Sequence, residues 1–74
     1  MATIKVQEIN RQLNQRVEVV LDVRTSMGKI ILPFKFDDQG SDEANEKHAH
    51  RELRQWLKEA DQALDLLSGQ QFYE

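Results

Sequence analysis

The sequence predicts an α+β domain: a three-stranded antiparallel β-meander followed by one long C-terminal α-helix packed on one face. Two observations carry that expectation. Apolar residues alternate one-in-two up to Phe36, as on a pleated strand, and afterwards recur every three or four residues, as on a helix. The charge changes at the same place. Residues 1–36 hold six Lys and Arg against three Asp and Glu, whereas residues 37–74 hold four against ten. The switch falls in the acidic joint Asp37-Asp38-Gln39-Gly40-Ser41-Asp42.

Arg16–Thr25 is the clearest strand. Val17, Val19, Leu21 and Val23 share one parity, and Arg16, Glu18, Asp22 and Arg24 share the other, the pattern of a half-buried strand rich in β-branched residues. Lys29–Phe36 repeats it, with Ile30, Leu32, Phe34 and Phe36 inward and Lys29 and Lys35 outward. A two-residue Met27-Gly28 loop would pair Val23 with Leu32, Leu21 with Phe34 and Val19 with Phe36, all core to core. Thr3–Ile9 is a third strand, where Ile4 and Val6 share a parity that Ile9 breaks. A bulge near Gln7-Glu8 accounts for that break, and Asn10–Gln15 then connects to the next strand. Pro33 has no N–H to give a ladder, so its strand belongs at an edge.

Ser41 is the expected N-cap, Asp42 and Glu43 suit the first helical turn, and Gly69 is the expected stop. The chain therefore reads as one domain over residues 1–74: sheet 3–36, joint 37–42, helix 42–68 and tail 69–74. At about 100° per residue, Ala49, Leu53, Trp56, Leu57, Ala60, Ala63, Leu64 and Leu67 fall on one face. Residues 42–48 add almost nothing to that stripe, so the first two turns are expected to overhang, to fray or to form a separate turn. The expected core is Ile4, Val6, Val17, Val19, Leu21, Val23, Ile30, Leu32, Phe34, Phe36, Leu53, Trp56, Leu57, Ala60, Leu64 and Leu67. Trp56 is expected as its deepest anchor, with Trp56→Ala costing about 3–5 kcal/mol.

Composition narrows the function classes. The 74 residues include no Cys, which removes disulfides, thiol chemistry and Cys-based zinc sites. The opening Met-Ala-Thr-Ile-Lys lacks the apolar run of a signal peptide, and no segment is apolar enough to span a bilayer. The expected compartment is the cytoplasm, with no membrane partner. The three glycines, Gly28, Gly40 and Gly69, are isolated, so no phosphate-cradling loop exists. His48 and His50 point apart on a helix and are read as solvent-exposed. His48 with Glu52 supplies at most two metal ligands. No spacing marks a nucleophile and its base. The expectation is no enzyme, no cofactor, no metal and no small-molecule ligand.

Function is therefore sought on surfaces. Lys47, Arg51, Arg54, Lys58, Asp61 and Asp65 step by four and three residues and fall in one line away from the apolar stripe. Four cations precede two anions, so acidic groups oppose the helix dipole in the last turns. On the outer sheet face lie Val20, Arg24, Ile31, Pro33 and Lys35, and the chain ends in Phe72-Tyr73. The residues assigned to partner binding are Lys47, Arg51, Arg54, Lys58, Val20, Arg24, Ile31, Lys35, Phe72 and Tyr73. They point to a small accessory or regulatory protein that binds a protein partner, with homodimerisation as one form of it. The alternative is a nucleic-acid-binding module that uses the basic outer face of the sheet or the helix stripe. Against the alternative, that face carries no aromatic for base stacking.

Overall fold

The computed structural model describes residues 1–71, with side chains to residue 67. The order is βββα: β1 (Thr3–Gln12), β2 (Arg16–Thr25), β3 (Gly28–Asp37) and α1 (Asp42–Gln71). The strands form one antiparallel sheet in the order β1-β2-β3. The α+β meander followed by a helix is therefore the fold, and Pro33 sits on an edge strand. The bulge is present, with the β1–β2 register stepping between Val6 and Glu8.

Three boundaries differ from expectation. β1 continues to Gln12, so the connection is a tight turn and not the segment Asn10–Gln15. Arg16 N donates to Leu13 O at 3.4 Å, and Asn14 and Gln15 between them take φ of 61° and 57°. Two consecutive left-handed residues twist in the sense that the flanking strands require. The β2–β3 hairpin closes one step earlier than Met27-Gly28. Thr25 pairs with Gly28, and Val23, Leu21, Val19 and Val17 pair with Ile30, Leu32, Phe34 and Phe36. The slip is two residues, so every inward residue stays inward. Met27 N donates to Thr25 Oγ1 at 3.1 Å, and Gly28 takes φ 137°. Lastly, α1 passes through Gly69 and runs to Gln71.

The largest correction concerns which end of the helix docks. Val17, Val19, Leu21, Phe36, Ala49 and Leu53 form the buried core, with Val6, Ile9, Val23, Leu32 and Phe34 packed against it. The N-terminal turns, expected to overhang, fray or form a separate turn, are the anchored ones: Asn45 and Ala49 are fully buried. The C-terminal half overhangs instead. Trp56 is 42% exposed, Leu57 50%, Leu64 61% and Leu67 50%, so none of them belongs to the core and Trp56 is not its anchor. Ala60 is half-buried, and Ile4 and Ile30 at the far end of the sheet are exposed. Thirty helical residues run about 45 Å against about 33 Å for a ten-residue strand, so the last turns, with Leu64 and Leu67, run past the sheet. The long axis of the molecule, 49 Å, is close to the length of the helix itself.

The acidic joint holds the helix to the sheet. Ser41 Oγ accepts from Ala44 N at 3.1 Å, so Ser41 is the N-cap. Asn45 Nδ2 donates to Asp38 Oδ1 at 3.0 Å, and Asn45 Oδ1 accepts from Gln39 N at 2.7 Å. Asp38 N in turn donates to Gln15 O at 2.7 Å, tying the joint to the first hairpin turn. Arg11 on β1 bridges Asp38 and Asp42.

Candidate partner-binding surface

The helix cations occupy distinct positions. Lys47 pairs with Glu43 one turn earlier at 3.6 Å. Arg51, Arg54 and Lys58, with His50 and Gln55, line a shallow groove of about 280 Å³. Arg54 also borders a second and more apolar groove of about 340 Å³, lined by Ile4, His50, Leu53 and Leu57. That second groove lies where α1 passes the β1 edge of the sheet, just before the overhanging half begins. Leu53, buried in the core, is its best-covered lining residue.

On the outer sheet face the expected residues are less available. Val20 retains 7% exposure between Glu8 and Pro33 in the ladder, so it offers a partner little surface. Ile31 is exposed. Arg24 gives Nε and Nη2 to the two Asp22 carboxylate oxygens, each at 3.2 Å. That hydrogen-bonded guanidinium holds the Asp22 carboxyl below its usual range. Arg16 Nη1 bonds Asp37 at 3.0 Å. Lys35 stands opposite Glu18 in the ladder. Two of the outer-face cations are thus already matched by neighbouring carboxylates. Phe72 and Tyr73 lie outside the described residues.

The joint carboxylates are occupied structurally. Asp38 accepts from Gly40 N at 2.9 Å, from Asn45 and from Arg11. The backbone N–H of Gly40, followed by Asn45 and Arg11, pulls its carboxyl below the ordinary value. His48 is not free in solvent as expected. Its ring lies 4.3 Å from that of Phe36, and its Nε2 is 3.3 Å from Glu52 Oε1. Among the described residues no three His, Cys, Asp or Glu side chains converge on a point that could hold a metal ion. No helix of the described residues is long and apolar enough to cross a membrane.

Sequence reasoning assigned Trp56, Leu57, Leu64 and Leu67 to the core and so missed them as surface. Their helical spacing identifies the stripe but not what covers it. The stripe and the groove lined by Ile4 and Leu57 join into one apolar surface that the fold leaves open. Comparison with protein-family models, with curated proteins and with solved structures found no match for this chain.

Proposed function

We propose that this is a small non-catalytic accessory or regulatory protein that acts by binding a protein partner, with the overhanging half of α1 as its recognition element. One observation carries the reading: Trp56, Leu57, Leu64 and Leu67 fall in one apolar stripe of α1 and are 42% to 61% exposed. Aromatic and aliphatic anchors on a preformed helix are the currency of groove and helix–helix recognition. The rigid joint at Asp38 and Asn45 sets the direction in which that helix points. The mechanism is occupancy, in which a presented surface organises or blocks a partner's site.

The test compares proteins captured from the native cell by the wild type and by a Leu57→Glu/Leu64→Glu variant. Both positions are at least half exposed, so the variant keeps its fold. Loss of the captured set with the variant supports the reading, and an identical set overturns it. The nucleic-acid alternative draws on the groove formed by His50, Arg51, Arg54, Gln55 and Lys58. Salt-sensitive binding of duplex or single-stranded oligonucleotides at micromolar protein would favour it instead.

A further inference from the structure

We infer that the overhanging half of α1 pairs with the same segment of a second copy of this chain, antiparallel, about a two-fold axis passing between Lys58 and Glu59. The inference rests on the reading of this stripe as a binding surface and names its occupant.

The charge order argues for it first. Arg51, Arg54 and Lys58 precede Asp61 and Asp65 along the helix, and the last turn holds no basic residue. Arg51, Lys58 and Asp65 lie on the far side of the helix from the apolar stripe, but Arg54 and Asp61 flank it, and beside an antiparallel copy Arg54 of each helix lies along Asp61 of the other. A parallel copy would instead align cations with cations and anions with anions.

Side-chain register argues for it independently. Leu57, Ala60, Leu64 and Leu67 step by three, four and three, the spacing of a two-helix seam. With the axis between Lys58 and Glu59, Leu57 meets Ala60 of the second copy, and Leu64 comes to the groove beside Leu53, which is itself packed in its own core and 3% exposed. His50 meets Leu67. On one flank Trp56 lies across from Ala63, a large side chain against a small one. On the other flank Arg54 lies across from Asp61. Two-fold symmetry makes each contact twice. Leu66 falls outside this seam.

The apolar groove supplies the third observation. Its lining residues His50, Leu53 and Leu57, with Ile4 from β1, are the ones this register places opposite Leu67, Leu64 and Ala60. The leucines left exposed at the distal end of one helix therefore meet the groove at the base of the other. The overlap covers residues 50–67, about 27 Å of helix.

Sedimentation equilibrium tests the proposal with charge-swapped variants at exposed positions. The wild type is expected to be a dimer at high micromolar concentration. Arg54→Asp alone and Asp61→Arg alone each turn two matched pairs into like-charge pairs, and each should weaken the dimer about tenfold. An equimolar mixture of the two variants restores both pairs and should associate as tightly as the wild type. A mixture no tighter than its components overturns the antiparallel register. A wild type that stays monomeric throughout overturns self-pairing. In that event the capture comparison with Leu57→Glu/Leu64→Glu decides separately whether the stripe binds any protein at all.

Discussion

The Asn45 side chain is fully buried and uses both its ends, donating to Asp38 Oδ1 at 3.0 Å and accepting from Gln39 N at 2.7 Å. One amide thus closes the joint between β3 and α1. Its position one turn inside the helix, between the Ser41 cap and Ala49, locks the helix axis to the end of the sheet. With Ala49 and Leu53 packed in the core and Arg11 on Asp42, it fixes the direction in which the overhanging half leaves the sheet.

Removing that amide has a defined cost. Asn45→Ala leaves the part-buried Gln39 N–H without its acceptor and empties a fully buried site, and about 1–3 kcal/mol of stability should be lost. Urea unfolding measures it. A midpoint equal to that of the wild type would show the joint to be held by other contacts.

Acid should loosen the same joint. Asp38 and Asp22 both titrate below the ordinary carboxyl value of 3.8 in the folded chain, Asp38 through Gly40 N–H and Asn45, Asp22 through Arg24. A lowered folded value means the stabilisation is complete above the unfolded pKa and is lost as the pH falls through the folded one. Stability is therefore expected to be flat near neutrality and to drop below about pH 4. Asp38→Asn should shrink that drop in an acid titration followed by circular dichroism.

Core and arm should respond differently to truncation. Leu21 is fully buried at the centre of the sheet, and Leu21→Ala should cost about 2–5 kcal/mol. Trp56→Ala removes a side chain that is 42% exposed, and in dilute solution it should cost well under half as much. Thermal melts at low protein concentration separate the two. Equal losses would place Trp56 in the core after all.

Much of this fold was legible in the sequence, and the failures have physical causes. Alternation fixed which residues of Arg16–Thr25 and Lys29–Phe36 face inward, because parity admits no half-measures. It could not separate registers two residues apart, and there the Thr25–Gly28 turn decided. The parity break at Ile9 located the bulge correctly. The helix period located the stripe but not its contact, since a polar Asn45 at full burial looks like solvent-facing sequence and Trp56 looks like core. Of the candidate site, the order of the charges from Lys47 to Asp65 was readable. The matching of Arg24 by Asp22 and of Arg16 by Asp37 required coordinates.

The first turn offers a stabilising change. Gln15 holds φ 57°, a conformation that costs a residue with a Cβ about 1 kcal/mol. Gln15→Gly removes that strain and creates the Asn-Gly pair such turns prefer. A gain of about 0.5–1 kcal/mol is expected, and a lower melting temperature would contradict the turn geometry.

Trp56 is the only tryptophan of the chain, and it stands on the stripe that the account makes a binding surface. Its emission as a function of protein concentration is the most direct measurement. A stripe that binds a second copy gives a solvent-like spectrum at nanomolar concentration that shifts to the blue toward high micromolar, with no shift in Leu57→Glu/Leu64→Glu. A spectrum already buried in character at nanomolar concentration, and unchanged on concentrating the protein, would contradict it.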